Sequence, residues 1–309
     1  MRRRILLAGL AMPALAQSST IRIISPYTAG GASDILGRFA GQAIGEALGV
    51  TVVVENRTGA GGNLGAEAVA RAAPDGTTFL VMAAAQAANA TLYRSLPFNV
   101  LRDFAPVAVI GVVPNLLSVH PAVPAHDVAG FIAFARAQSA GITYSSAGVG
   151  TIPHLAMELF RHRAGFQATH VPFRGTAPAV TEVVAGRIQA MMENLPPQAP
   201  QIRAGALRGL GVSTAARVAD FPDIPAIAET LPGFEAMAWQ SLVAPAGTPP
   251  AILRRVGEVV LAATAARAGQ LRGMGFIPGT IGPDAFPAFL QAEVAKWAEA
   301  VRISGATAE

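Results

Sequence analysis

Three loops carry the residue types suited to holding a small anion. Residues 26–34 read PYTAGGASD, residues 145–154 read SSAGVGTIPH, and residues 170–178 read HVPFRGTAP. Each follows a predicted strand and opens a predicted helix. Glycine lets the backbone approach a ligand, and the free N–H groups of a first helical turn favour an anion. Each helix end contributes about 0.3–1 kcal/mol toward a carboxylate at an exposed site. Ordinary strand-to-helix turns use the same residues. Each loop alone therefore has two readings, and only their convergence would distinguish them.

The side chains in and near these loops narrow the chemistry. His154, at a helix start after Pro153, is placed either to donate to a carboxylate or to close its own turn. Asp34 is either an N-cap, a role it shares with Ser33, or an acidic partner for a ligand amine. Arg174 is either a bidentate carboxylate clamp or a solvated surface charge. His170, at a strand end, reads as packing. Trp239 and Phe173 read as core with a pocket-lining alternative. Ser145, Ser146 and His154 form the one cluster suggestive of nucleophilic catalysis, but no G-x-S-x-G elbow accompanies them. Neither Gly59–Gly65 nor Gly148-Val149-Gly150 completes G-x-G-x-x-G, H-E-x-x-H is absent, and the chain has no cysteine. The expectation is no cofactor, no metal and no catalytic residue.

Composition sets the outer bounds. The 309 residues are 52% hydrophobic and 14% charged, with a net charge of +4. The mean hydropathy of +0.43 is high, yet no apolar run reaches the roughly 20 residues of a spanning helix. Arg2-Arg3-Arg4, the run Ile5–Met12 and Pro13-Ala14-Leu15-Ala16 have the form of an export leader cleaved after Ala16. The arginines leave general and twin-arginine export both open. Without them the remaining chain is nearly neutral, and it has a single lysine, Lys296. That is not a nucleic-acid footprint.

The elements that must position the loops alternate. Strands are predicted at 20–25, 50–55, 77–83, 107–112 and 116–120, with helices from Asp34 to Leu48 and over 66–73. A second series begins after Pro121. Its helices are 127–138, 153–163, 177–185 and 197–204, and its strands 142–145, 168–171, 188–192 and 208–213. A strand at 239–244 and long helices from Pro249 and Asp284 complete the chain. Alternation of this kind predicts α/β lobes on mostly parallel sheets flanked by helices. Lobe 1 is expected over 17–122 plus 237–309 and lobe 2 over 123–236, with ligands beyond the carboxyl ends of the strands.

The wording of the segments, in order, adds to this. PYTAGGASD, NRTGAGGNLG (56–65), YSSAGVGTIPHLAMELF (144–160), HVPFRGTAPAVTEVVAG (170–186), NLPPQAPQIRAGALRGLGVS (194–213), FPDIPAIAETLPGFEA (221–236) and WQSLVAPAGTPPAIL (239–253) resemble the substrate-binding proteins of tripartite tricarboxylate transporters, the Bug/TctC family. The resemblance implies a periplasmic, monomeric Venus flytrap of type II-like fold that grips a small carboxylate and hands it to membrane transporter subunits. It implies first-lobe contacts from Tyr27, Thr28, Gly31, Ala32 and Asp34, and a second contact loop at 84–89 with Ala85, Gln86 and Asn89. From the second lobe it implies Ser146, Gly148, Gly150, His154, Arg174, Gly175 and Thr176, then Glu193 and Asn194. The chain departs from the family at 84–89, where Gln86 stands in for a histidine and alanines replace hydroxyl residues.

Three functions compete. A non-enzymatic receptor for a small carboxylate (a di- or tricarboxylate, an amino acid or an aromatic acid) fits the loops and leader. A sensory adaptor would have the same pocket but a membrane sensor kinase as partner. A secreted α/β hydrolase would need a base beside Ser145 or Ser146.

Overall fold

A computed structural model describes residues 20–308, so the expected leader lies outside the described residues. The chain begins with β1 (Ile21–Ser25), α1 (Ala32–Leu48), β2 (Val52–Asn56), α2 (Asn63–Ala70), β3 (Thr78–Ala83), α3 (Ala84–Leu92) and β4 (Phe104–Val113). A second series follows: β5 (Asn115–Val119), α4 (Val128–Ala137), β6 (Ile142–Ser146), α5 (Ile152–Ala164), β7 (Ala168–Pro172), α6 (Thr176–Val184), β8 (Ala190–Asn194), α7 (Leu195–Arg203) and β9 (Arg208–Val212). The chain returns through β10 (Ala238–Pro245), α8 (Pro250–Ala266), α9 (Ala268–Gly273), β11 (Ile277–Pro278) and α10 (Phe286–Ser304).

These elements build two helix-flanked sheets, ordered β11-β4-β10-β3-β1-β2 and β7-β6-β8-β5-β9. The two-lobe α/β expectation holds: most strands of each sheet run one way, with a minority reversed among them. β1, β2 and β3 pair in parallel, as do β6, β7 and β8, but β10 and β5 run against their neighbours. The two-residue β11 is also reversed, pairing antiparallel with β4, whereas β5 and β10 come directly from the other sheet. A strand that enters at the edge where its neighbours end must run backwards through them.

Register shows where the entries lie. At the start of β5, Asn115 sits opposite Asn194 at the end of β8, and Leu116 opposite Val212 at the end of β9. At the start of β10, Ala238 sits opposite Val113 and Gln240 opposite Ala83, the ends of β4 and β3. Both crossings therefore join carboxyl edge to carboxyl edge, so the carboxyl edges of the two sheets face each other, the edge at which open α/β sheets take ligands. The sheet changes at Pro114. The expected boundary at 122/123 would assign β5 to the first lobe, whereas it pairs only within the second sheet.

Packing explains why α1 lies so close to its sheet. A Cβ on Gly37 would stand 2.9 Å from Val81 Cγ2, and one on Gly41 3.2 Å from Val52 Cγ1. The glycines form the face that lets helix and sheet touch, and Leu36, Phe39 and Ile44 fill the space around it. α10 packs on α3 and on α5, one from each series. Its Glu293 Oε2 accepts from both tryptophans, Trp239 Nε1 at 2.7 Å and Trp297 Nε1 at 2.9 Å, while Lys296 pairs with Oε1. Trp239 is thus core. Among the described residues no helix is long and apolar enough to cross a membrane, and no group of three His, Cys, Asp or Glu could hold a metal.

Candidate functional site

The first loop is held from below. α1 starts after Gly31 with no side-chain cap, so neither Ser33 nor Asp34 is the cap expected of them, and the first-turn N–H groups keep their capacity for an anion. Asp34 is buried and fully engaged: it accepts from Gly30 N at 3.0 Å and Asn56 Nδ2 at 3.0 Å, and it pairs with Arg38 at 2.9 Å. The Arg38 hydrogen bond holds its carboxyl below the usual range against the opposing effect of burial. With no oxygen to spare, Asp34 is a support for residues 26–31 rather than a partner for a ligand amine. Asn56 extends that support by donating to Tyr27 O at 3.0 Å. Ser33 instead donates to Gln240 Oε1 at 2.6 Å. Thr28 and Gly30 are exposed and Gly31 and Ala32 half-buried, at the edge where a ligand would arrive.

The expected contact loop at 84–89 is the first turn and a half of α3. Gln86 Oε1 accepts from Ala83 N at 2.8 Å, closing the helix start, and its Nε2 donates to Tyr27 Oη at 3.2 Å. Asn89 Nδ2 donates to Gly61 O at 3.1 Å and Asn63 Oδ1 at 2.8 Å, and Tyr27 Oη donates to the same Gly61 O at 3.1 Å. Gln86, Asn89 and Tyr27 therefore clamp the glycine loop after β2. Gly62 has φ +91°, and a Cβ there would stand 2.5 Å from Gln86 Nε2 and 3.1 Å from the Tyr27 ring. Ala85 is half-buried beside them.

In the second series, two loops are stitched together. Phe173 N donates to Ser146 O at 2.9 Å, and Gly175 N to Ala147 O at 3.2 Å. Thr151 caps α5. His154 adds to that turn: its Nδ1 accepts from Gly150 N at 3.1 Å, which puts its ring proton on Nε2. The ring stacks on His170 with centroids 4.0 Å apart, and His170 stacks on Tyr144. Burial pushes the His154 imidazole down to about 4 and lowers His170 as well, so neither supplies a cation at neutral pH. Ser146 Oγ lies 2.7 Å from His170 Nε2, not at His154 as the catalytic grouping would require. Ser145 Oγ donates to Ala179 O. The buried Glu158 completes this wall, joined to Tyr144 Oη at 2.5 Å and Arg161 at 2.5 Å. Arg174 is exposed and makes no ion pair among the described residues.

Glu193 is the outlying group. It is 0% exposed at the end of β8, with Oε1 accepting from Asn194 N at 2.9 Å and Oε2 without a partner. Desolvation pushes its carboxyl up to about 7, against the Asn194 and Ala147 N–H groups and the Thr176 hydroxyl. Three other buried polar atoms lack partners among the described residues: Ser25 Oγ, Asn115 Oδ1 and Asn194 Oδ1. Ser25 ends β1, Asn115 starts β5, and Asn194 ends β8. Buried polar atoms are almost always hydrogen-bonded. These unpartnered ones all sit on the two facing edges.

The edges are in contact. A Cβ on Gly150, in the second-series loop, would stand 2.6 Å from Leu92 on α3. The crossings are tied where they pass, Asn115 Nδ2 donating to Ala236 O at 2.8 Å and Ser213 N to Asn115 O at 2.9 Å. A second groove of about 650 Å³ lies between α7 and the α9–β11 turn, lined by Pro114 at the crossing, Leu195, Arg203, Phe221, Met274 and Phe276. Of the expected residues, the structure groups Tyr27, Gln86 and Asn89 on one edge, and Ser146, Gly148, Gly150, His154, Gly175, Thr176 and Glu193 on the other. Ser25, Asn56, Asn115 and Gln240 escaped the sequence reading, which gave Ser33 only as a cap and His170 only as packing. Ser25 and Asn115 each adjoin a proline, Pro26 and Pro114, which is the one local sign of a strand edge there.

Known proteins similar to this chain in sequence and architecture point to one family. Residues 36–305 match the model of the tripartite tricarboxylate transporter family receptor, TctC. Protein BugT of Bordetella pertussis is 33% identical over 97% of this chain and 94% of its own. The structure of R. palustris Rpa4515 with adipate superposes with a TM-score of 0.78 at 34% identity, covering 93% of this chain and 98% of that one. MatC (Rpa3494) from Rhodopseudomonas palustris with bound malate gives 0.74 at 29% identity, covering 91% and 98%. On the strength of match, coverage and shared fold, this chain belongs to the tripartite tricarboxylate transporter receptor family, the TctC/Bug solute-binding proteins.

Proposed function

We propose that this chain is a monomeric, exported periplasmic receptor that captures a small carboxylate between two lobes and delivers it to a tripartite tricarboxylate-type membrane transporter. The lobes are built on the two sheets and exchange at Pro114 and on the approach to Ala238. The observation that carries the reading is the placement, among the described residues, of the unpartnered buried side-chain polar atoms on the two facing edges, beside the uncapped start of α1 and the glycine-rich starts of α5 and α6. Backbone N–H groups, not arginines, do the holding, since Arg174 is exposed and Arg38 is spent on Asp34. The relatives solved with adipate and malate make dicarboxylates the first class to try. No catalytic step belongs to this reading: Ser146 meets His170 without a carboxylate behind the ring, and its Oγ also accepts from Gly148 N at 3.2 Å.

Calorimetric titration with adipate, malate, citrate, glutamate and benzoate tests it. One saturable site per chain for at least one acid is expected, with an accompanying rise in melting temperature. Absence of saturable binding by all five would overturn the proposal.

A further inference from the structure

The Glu193 carboxyl is the one ionisable group at the facing edges with an unpartnered, fully buried oxygen. It lies where a ligand carboxylate would also come, beside Ala147 N–H and Thr176 at the start of α6 and just before the start of α7. Among the described residues no cation compensates it. β5 carries no ionisable side chain, and Gln198 on α7 is used on the main-chain oxygens of Leu116 and Glu193. The 147–151 loop has none either. On β6, Tyr144 is bound to Glu158; on α5 and β7, His154 and His170 are stacked as neutral rings; on α6, Glu182 pairs with Arg187. Arg174 points to solvent and Arg203, at the end of α7, faces Phe221.

Two carboxylates brought together in such a place cannot both stay ionised. We propose, building on the receptor reading above, that Glu193 makes ligand capture proton-coupled: as the ligand carboxylate enters, Glu193 takes up one proton from solvent, keeps it on Oε2, and donates a hydrogen bond through it to a ligand oxygen. The balance is simple. One ligand carboxylate and one proton enter together, the bound ligand stays ionised, and the unpartnered Oε2 gains its hydrogen bond. A carboxyl sitting near 7 before binding makes this uptake measurable over an ordinary pH range.

Calorimetry with the acid that binds best among adipate, malate, citrate, glutamate and benzoate, in two buffers of different ionisation enthalpy, counts the protons. Wild type at pH 8 is expected to take up close to one proton per ligand, falling toward zero at pH 6, with affinity dropping about tenfold per pH unit above pH 8. Glu193→Gln is expected to bind with no proton uptake and a flat pH profile. The wild-type count alone decides the matter should that variant fold poorly. Binding with no proton uptake at pH 8, or proton release, overturns the inference and leaves the receptor reading standing. Equal uptake by Glu193→Gln and wild type overturns it too. Failure of all five acids to bind overturns the receptor reading, and this inference with it.

Discussion

Single residues here divide into those that hold loops in shape and those left free to meet something. Asp34 belongs to the first kind, and its depressed carboxyl fixes the sign of its pH effect. Its stabilisation is present above the unfolded value near pH 4 and is lost as pH falls through the lower folded value. Asp34→Asn is therefore expected to flatten the acid limb of a stability–pH profile measured by urea unfolding. His154 acts through the opposite form. Burial disfavours its cation, so its neutral ring stabilises the fold above the unfolded value of about 6.5, and that contribution fades as pH falls from there toward 4. His154→Gln should remove the loss between pH 6.5 and 4, read by the same unfolding curves. Gly62, at φ +91° against Gln86 and Tyr27, allows no side chain. Gly62→Ala is expected to cost about 1–3 kcal/mol, with the midpoint of urea unfolding as the readout.

At the scale of elements, α3 and the second-series loop meet at a single close point. Gly150 has φ +76° and its α-carbon faces Leu92, so Gly150→Ala both strains the backbone and drives the edges apart. Gly150→Ala should lower carboxylate affinity about tenfold, or about 1.4 kcal/mol, and Leu92→Ala combined with it should recover part of the loss in a double-mutant cycle. α3 is also where the sequence was least legible. Ala84-Ala85-Gln86-Ala87-Ala88-Asn89 has the alanines of a helix, with Gln86 and Asn89 three apart on one face. Its likeness to a family contact loop nonetheless suggested exposed donors. What decides the outcome is Gly61, 28 residues earlier, whose carbonyl takes the Asn89 amide. The alternation of strand and helix, by contrast, was readable nearly everywhere, because it rests on local periodicity. Strand direction was not. Nothing in the text of 115–119 or 238–245 marks β5 and β10 as reversed, since the reversal follows from which sheet the chain has just left.

For the molecule as a whole, two sheets presenting carboxyl edges to each other account for why three unremarkable turns are worth more together than singly. The PYTAGGASD, SSAGVGTIPH and HVPFRGTAP loops lie far apart in the chain, yet each ends a strand on one of those edges. Their order and wording made the family readable, while the pairing of Ser146 with His170 and the isolation of Glu193 depend on contacts that no local pattern encodes. The high apolar fraction is absorbed by Ala-rich helices and by buried clusters, one of which runs from the first sheet into the second, while charges pair on the surface, as Arg22 with Glu55, Arg71 with Glu67 and Arg217 with Glu229. The central claim is that one ligand bridges both edges. Hydrogen-exchange mass spectrometry with and without a saturating panel acid tests it most directly. Protection gained together in residues 28–34, 147–151 and 174–176 is the predicted result. Protection confined to one edge, or to the groove near 195–221 and 272–277, would contradict it.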